Sequence, residues 1–120
     1  ILDGDKNINR IINNKLKFIK STGKKEKKKY TIEVKTEKKI EIVSKDSKGD
    51  PLKFEMSILV EYNIINDGNS LLRSEVEKNN VYNNDSDQFK LEQTEDIILK
   101  NLSDSAIDII ISSIINLDDN

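Results

Sequence analysis

One segment of the chain alternates apolar and polar side chains, and it restricts the possible folds more than any other feature. Every second residue from Phe54 to Ile64 is apolar, and Lys53, Glu55 and Glu61 are among the polar residues that alternate with them. Because successive side chains of a β-strand point to opposite faces, this pattern predicts a strand with one buried face and one face in water. Such a strand needs neighbours in a sheet and a second layer over its apolar face.

Two further segments can supply the neighbouring strands. Apolar and charged residues alternate between Tyr30 and Ile42, which predicts one long or two short half-buried strands. Residues 44–51 have the composition of a turn, and the sequence Asn-Asp-Gly-Asn at 66–69 predicts a tight hairpin because these residues tolerate positive φ angles. A weaker strand at residues 71–81 should run antiparallel to the one before it, and we expect its register to slip near Asn79.

A helix is predicted on each side of these strands. Apolar residues recur every three or four positions in segment 5–20, where Asp5 can act as the N-cap and Gly23 can end the helix. A second helix is predicted from Asp85 to Leu117, because Asp85 and the Gln three residues later resemble a capping box. Its last third is rich in β-branched Ile, so a strand competes there, but the continuous helical stripe upstream favours a helix.

The order of these elements predicts the fold class. A chain of 120 residues is long enough for one hydrophobic core, so residues 1–120 are expected to form a single domain. Two helices beside a mainly antiparallel meander form an α+β two-layer sandwich. In the order α-β-β-β-α, both helices pack on one face of the sheet.

The chain contains no Cys and no His. It therefore has no disulfide, no zinc site built from Cys or His and no imidazole base for nucleophilic catalysis. No apolar run approaches the about 20 residues that a membrane-spanning helix requires. We expect a protein with no catalytic residues, no metal and no cofactor.

Two acidic patterns are too weak to change that expectation. Residues 3–7 place oxygen side chains as in a calcium-binding loop, but Ile8 stands where the loop needs Gly and Asn14 stands where it needs Glu. A carboxylate-dependent hydrolase has no support beyond the abundance of Asp and Glu. It would need two carboxylates about 5 to 10 Å apart in a cleft, and the chain has no Trp to form a sugar platform.

Charge is unevenly distributed along the chain, although the net charge is only −2. Residues 1–60 hold 16 Lys and Arg against 9 Asp and Glu, whereas residues 61–120 hold 4 against 13. The densest cluster, Lys24 to Lys29, could bind phosphate or a membrane surface, or it could be a solvated loop. The near-neutral balance and the scarcity of aromatic residues argue against a nucleic-acid partner.

The Ile-rich end of the second helix also has two interpretations. Either it packs entirely into the core of the domain, or part of it forms an exposed apolar face for a partner protein. The candidate interface residues are Ile107, Ile111, Ile114 and Ile115.

Several short patterns follow one another in a fixed order over nearly the whole chain. They are Asn7-Ile8-x-x-Ile11 to Leu16, Tyr30-x-Ile32-x-Val34, the alternation from Leu52 to Ile64, Asp67-Gly68, Val81-Tyr82-Asn83, Asp87-x-Phe89 and the closing helix from Ile110 to Leu117. The series resembles the lipopolysaccharide-assembly lipoproteins, the LptE family of Gram-negative outer membranes, particularly their divergent alphaproteobacterial members. Two features of the family are not matched. Its lipidated N-terminal Cys and first strand are missing from this sequence, and Ala106 alone remains of the alanines of the last helix.

The resemblance implies a non-catalytic periplasmic component of the outer membrane. It implies an α/β protein seated inside a large β-barrel partner of the LptD type, which helps the barrel to assemble and helps to pass lipopolysaccharide to the outer leaflet. Membrane association would come from a lipid anchor outside this sequence. The candidate contacts to lipopolysaccharide or another anion, chosen for charge and for their place on the predicted sheet or its loops, are Lys24, Lys25, Lys27, Lys28, Lys29, Lys53 and Arg73.

A generic ligand- or protein-binding module of the cystatin type is the alternative, since it shares the order of a helix followed by a meander. That alternative predicts a sheet wrapped around a single long N-terminal helix, with a C-terminal strand instead of a helix.

Overall fold

The alternating segment forms the central strand of the sheet in the computed structural model, which describes residues 2–22 and 30–118. The elements are, in chain order, β1 (Leu2–Gly4), α1 (Lys6–Thr22), β2 (Thr31–Lys45), β3 (Pro51–Asn66), β4 (Asn69–Asn83) and α2 (Gln88–Asp118). The strands lie in the order β1-β2-β3-β4, and β3 pairs antiparallel with both β2 and β4. The predicted α+β sandwich, with the order α-β-β-β-α around three long strands, is confirmed.

The hairpin between β3 and β4 has the turn that its sequence predicts. Asp67 and Gly68 have positive φ angles of 52° and 78°, as a two-residue type I′ turn requires. The register of this pair is irregular between Ile64 and Ile65. The predicted slip near Asn79 is wrong, because Asn79 stays in register opposite Ser57.

The resemblance led us to expect that the first strand is missing, but a strand of three residues, β1, is present. Strand β1 pairs parallel with β2, with Leu2 opposite Val34 and Gly4 opposite Thr36. Gly4 has a φ angle of +99°, and a Cβ atom there would lie 1.9 Å from the carbonyl oxygen of Thr36, so only Gly fits. Two parallel strands need a crossover, and α1 provides it by returning the chain to the start of β2.

Helix α1 begins where the sequence predicts. The Asp5 Oδ1 atom accepts hydrogen bonds of 3.0 Å from the backbone N–H groups of Asn7 and Ile8, which is the geometry of an N-cap. The buried Thr36 hydroxyl donates to Asn9 Oδ1 at 2.9 Å and holds this first turn against β2. The predicted stop at Gly23 lies outside the described residues.

Helix α2 begins two residues later than the capping-box pattern suggests. Asp87, not Asp85, is the N-cap, because its Oδ1 atom accepts hydrogen bonds from the backbone N–H groups of Phe89 and Lys90. The helix then continues through the Ile-rich end, and the competing strand is not formed. No helix in residues 2–22 and 30–118 is long and apolar enough to cross a membrane.

Helix α2 runs parallel to β3 and is tied to the sheet at two points. The Tyr82 hydroxyl donates to Glu95, and the hydroxyls of Tyr62 and Ser113 share a hydrogen bond of 3.0 Å. The two helix residues are separated by about 27 Å along the axis at 1.5 Å per residue. The corresponding positions on β3 are Phe54, which lies opposite Tyr82, and Tyr62. These two strand residues are separated by about 26 Å. Helix α2 and strand β3 therefore run side by side in the same direction over the covered face of the sheet.

The core lies between this face of the sheet and the two helices. All inward side chains of β3 from Met56 to Ile64 are buried, and they meet Ile8 and Ile12 of α1 and several apolar residues of α2 that are less than a tenth exposed, among them Ile107 and Ile110. The opposite face of the sheet has no layer over it among the described residues. Only one face of the meander is covered, as the sequence predicts.

Candidate functional site

The basic residues predicted to contact an anion do not converge in the structure. Lys24, Lys25, Lys27, Lys28 and Lys29 lie outside the described residues. Lys53 lies opposite Asn83, whereas Arg73 is ten residues earlier on β4. At about 3.3 Å per residue these two cations are about 33 Å apart, at opposite ends of the sheet, so they cannot hold one phosphate group.

Arg73 points to the uncovered face of the sheet, which we call the bare face. On β2, β3 and β4 the outward positions of this face carry seven Glu against four Lys and one Arg. Arg73 lines a shallow concavity of about 680 Å³ there, together with Glu33, Glu61 and Glu75. Lys35 lines the same concavity and lies opposite Glu61, so three carboxylates meet two cations there, and the excess of negative charge disfavours a phosphate ligand.

Glu61 and Glu75 lie directly opposite each other in this concavity. Side chains in such cross-strand pairs are about 5 Å apart at Cβ, so the two like charges repel each other. Both residues are exposed on an open surface that neither excludes water nor surrounds a ligand. No three Asp or Glu residues in the described part of the chain could hold a metal ion together.

A more balanced site lies in a groove of about 570 Å³ between the two helices. Helix α1 contributes Arg10 and Lys15, and α2 contributes Lys100. Asp96 and Asp104 face the same groove, so three cations meet two carboxylates there, and its apolar lining is formed by Ile11 and Leu99. This groove, which we call the helix groove, is the described surface best suited to an anionic group with an apolar part.

The sequence pattern did not predict the helix groove. Arg10 belongs to the polar face of α1, and the periodicity of one helix says nothing about which residues of another helix it will meet. Lys100 is one of only four cations in the acidic second half of the chain. The only sequence feature that could have indicated the groove is the pair of Arg10 and Lys15, five residues apart. This spacing is not typical of a known binding motif.

The candidate interface residues at the end of α2 lie in different environments. Ile107 is completely buried in the core of this chain, so its side chain cannot reach a partner in this conformation. Ile111 and Ile114 are half-buried against the same core, and Ile115 is 54% exposed. Of the four residues, Ile115 is the most open to a partner.

Exposed apolar side chains are concentrated instead near the turn between β2 and β3. Ile40 and Ile42 are 42% and 47% exposed on the helix side of the sheet, where neither helix covers them. Val43, Leu52, Val81 and Phe89 are also exposed at this end. We call these six residues the turn-end surface. Its members lie on both faces of the sheet at this end of the molecule.

Solved structures of three bacterial lipoproteins share this architecture. Rare lipoprotein B from Shewanella oneidensis has a TM-score of 0.72 at 14% identity, covering 98% of this chain and 93% of that one. A minor lipoprotein from Acinetobacter baumannii has a TM-score of 0.62 at 13% identity, covering 91% and 85%. An uncharacterized lipoprotein B from Nitrosomonas europaea has a TM-score of 0.63 at 19% identity, covering 91% and 77%.

No family model and no curated protein matches the sequence. At these low identities the structural likeness defines the fold, and with the Shewanella oneidensis protein it extends over almost the full length of both chains. The chain therefore has the fold of lipoprotein B, and the resemblance predicted from the order of the sequence patterns is confirmed at the level of the fold.

Proposed function

We propose that this chain is a non-catalytic component of outer-membrane biogenesis, located on the periplasmic face of the outer membrane. It would help a β-barrel protein of the LptD type to assemble and help to move lipopolysaccharide to the outer leaflet. The observation that carries the proposal is the full-length likeness to rare lipoprotein B, which is another name for LptE. Two independent features, the sequence patterns and the fold, thus support the same family.

The dimensions of the molecule suit a position inside a barrel. The Cα atoms extend over 59 × 25 × 22 Å, so the molecule is a narrow rod. Outer-membrane barrels of about 22 strands have a lumen wide enough to contain a plug. The exposed apolar turn-end surface is the part of the rod that we propose contacts the barrel protein.

Lipopolysaccharide carries phosphate groups beside acyl chains, and two basic regions of this chain could contact it. The Lys24 to Lys29 cluster supplies charge, and the helix groove supplies cations beside the apolar side chains of Ile11 and Leu99. Arg73 is less suited than the groove residues because of the carboxylates around it. We therefore add Arg10, Lys15 and Lys100 to the proposed lipid contacts.

The structure gives no support to the cystatin-type alternative. That alternative required the C-terminal segment to be a strand, whereas residues Gln88–Asp118 form a helix. It also required the sheet to wrap around one helix, whereas two helices pack side by side on the sheet and contact each other.

Two measurements test the proposal. First, the protein should co-purify with a β-barrel protein after gentle detergent extraction of its native membranes, and recovery without any barrel partner would contradict the assembly role. Second, purified lipopolysaccharide should bind with an affinity that falls as salt is raised, because the contacts are between exposed charges.

Variants with matched charge changes locate the lipid contacts. The pair R10Q/K15Q removes two cations from the helix groove, whereas K35Q/K39Q removes two from the bare face. We expect R10Q/K15Q to weaken lipopolysaccharide binding, and replacement of the five Lys of residues 24–29 by Gln to do the same. The affinity of K35Q/K39Q for lipopolysaccharide should stay close to that of the parent chain. Equal loss in both pairs would show a response to net charge alone and would remove the groove from the proposal.

A further inference from the structure

Two carboxylates of the helix groove are not used by a ligand that is only anionic. Asp96 and Asp104 line the groove together with Arg10, Lys15 and Lys100. An anion held by the three cations would be repelled by both Asp side chains, because all five charges line one groove. These carboxylates instead suit a ligand that carries a positive group as well as a negative one.

The charged groups of the groove are not paired with one another. In the part of the chain that the structure describes, the one ion pair within 4.0 Å joins Lys39 to Glu41 on the bare face. Lys100 is four residues from Asp96 and four residues from Asp104, a spacing at which helical side chains can meet, yet neither pair is formed. The cations and carboxylates of the groove therefore remain available to a ligand.

Two cations lie near the middle of the groove, and a carboxylate lies towards each end. On α2 the lining extends from Asp96 to Asp104, and Lys100 is at its centre. On α1 the lining extends over residues 7–15, and Arg10 is near its centre. Each carboxylate is four residues from Lys100, which corresponds to about 6 Å along the helix axis. The groove therefore has a positive centre with a negative group about one turn away on either side.

Apolar side chains lie beside this positive centre. Ile11 follows Arg10 on α1 and Leu99 precedes Lys100 on α2, and both line the groove. Leu99 is buried and Ile11 is partly buried against the core, and such side chains can contact the methylene groups of a lipid. The groove volume of about 570 Å³ is within the range of small-molecule sites. The groove can therefore take a charged headgroup together with the first carbons of a lipid.

We infer that the helix groove binds the phosphoethanolamine group of a lipid, in which two carbons join a phosphate to a primary ammonium group. Arg10 and Lys100 hold the phosphate, since a guanidinium presents a planar set of donors to phosphate oxygens. The ammonium group then reaches Asp96 or Asp104 and donates to its carboxylate. The inference rests on the proposed function, because it names the headgroup chemistry of the lipid that this groove is proposed to contact.

The two carboxylates give the groove a preference among lipid headgroups. Phosphatidylglycerol has the same phosphate but no ammonium group, so both Asp side chains only repel it. Phosphatidylcholine has an ammonium group in which methyl groups replace the N–H donors, so it cannot donate a hydrogen bond to a carboxylate. Of these headgroups, phosphatidylethanolamine is the one that satisfies the groove charges of both signs.

Short-chain lipids below their micelle concentration test this preference. In nuclear magnetic resonance titrations of the isotope-labelled parent chain, the amide signals of Arg10 and Lys100 should shift. Dihexanoyl phosphatidylethanolamine should bind about 3- to 10-fold more tightly than dihexanoyl phosphatidylglycerol, because the added attraction is between largely exposed groups. R10Q/K100Q should weaken the binding of both lipids.

Two variants with the same change in net charge show whether the carboxylates set the preference. D96N/D104N removes both and should reverse the preference for phosphatidylethanolamine over phosphatidylglycerol, because the three cations then favour the anionic lipid. E33Q/E75Q changes two carboxylates on the bare face and should bind both lipids like the parent chain. The same spectra show whether each variant is folded, and the single variants D96N and D104N take the place of the pair if it is not.

Lipopolysaccharide can also carry phosphoethanolamine, so two preparations, with and without this substituent, identify the source of the headgroup. Tighter binding of the substituted form by the parent chain, but not by D96N/D104N, would assign the site to lipopolysaccharide. Equal binding of the two forms, with the preference among the short-chain lipids kept, would assign it to a phospholipid.

The inference and the proposed function can fail separately. A parent chain that binds dihexanoyl phosphatidylglycerol as tightly as dihexanoyl phosphatidylethanolamine would overturn the inference. A preference that survives in D96N/D104N, or that E33Q/E75Q removes to the same extent, would also overturn it. Lipopolysaccharide binding and co-purification with a barrel protein would still stand in these cases, because neither requires the carboxylates. A chain that keeps the preference but neither binds lipopolysaccharide nor co-purifies with a barrel would contradict the proposed function alone.

Discussion

Strands β2 and β3 lie side by side and carry the same alternation, yet their inward residues have different environments. On β3, Met56, Ile58 and Val60 are no more than 1% exposed. On β2, Ile40 is directly opposite Met56 and is 42% exposed. Alternation therefore reports which face a residue belongs to, and the second layer decides whether that face is buried.

The lengths of the two helices explain the difference. Helix α2 has 31 residues and extends about 46 Å, nearly as far as the 16 residues of β3 beneath it. Helix α1 has 17 residues, and its first turn is bonded to Thr36, from which it returns towards the start of β2. It therefore leaves the second half of β2 without a cover. Strand β3 also has a neighbour on each side, whereas this half of β2 lies at an edge among the described residues.

Replacing one inward Ile by Ala on each of the two strands should give the largest difference in the free energy of unfolding. Ile58→Ala removes a fully buried side chain under α2 and should lower the free energy of unfolding by about 2 to 5 kcal/mol. Ile40→Ala removes the same atoms from a half-exposed position and should cost less than about 1 kcal/mol. Urea denaturation of both variants measures the difference. Equal costs would mean that the second half of β2 is covered in solution.

The three long strands, the two helices and their order could be predicted because each depends on residues close in sequence, whereas the short strand β1, which depends on its pairing with β2, was not predicted. The alternation of β3, the Asp-Gly hairpin and the Asp5 cap are local patterns, and all three are formed. The start of α2 was misplaced by two residues because Asp85 and Asp87 are both good caps, and Asp85 is engaged instead as acceptor for the N–H group of Asp87.

The candidate site could be predicted much less well, because it depends on distances between elements. Lys53 and Arg73 share a charge and a face, but the register separates them by about 33 Å. Arg10 and Lys100 are ninety residues apart in sequence and meet only because the helices pack together. Ile107 and Ile115 have the same chemistry, and only the position of the core shows that one is inside and the other outside.

Within the covered region, loss of a hydrogen bond to a half-buried carboxylate should have the second-largest effect on the free energy of unfolding. Tyr82→Phe leaves Glu95 without its hydroxyl donor and should cost about 1 to 2 kcal/mol at neutral pH. Burial, and then the bond to Glu95, raise the pKa of Tyr82 above its ordinary value of 10.0. The bond therefore contributes fully below about pH 10, and its contribution is lost as pH rises further, because the unfolded chain releases the proton first.

Urea denaturation of the parent chain and of Tyr82→Phe near pH 8 and again above pH 10 checks this dependence. The difference in stability between the two proteins should be smaller at the higher pH. Tyr62→Phe is the matched control, because Tyr62 is bonded to a neutral hydroxyl, that of Ser113. A difference for Tyr82→Phe that grows above pH 10 would contradict a raised pKa of Tyr82 in the folded chain.

The smallest effect is expected from a polar group inside the same covered region. Ser103 is fully buried in α2, and among the described residues its hydroxyl has no hydrogen-bond partner. Ser103→Ala removes an unsatisfied polar group and leaves only a small space, so stability should stay within about 1 kcal/mol of the parent and can rise. Ala106→Ser places a hydroxyl at another fully buried position three residues later and should lower stability by about 1 to 3 kcal/mol. A large loss in Ser103→Ala would reveal a partner for that hydroxyl, and the cover over β3 would then depend on a polar contact as well as on apolar packing.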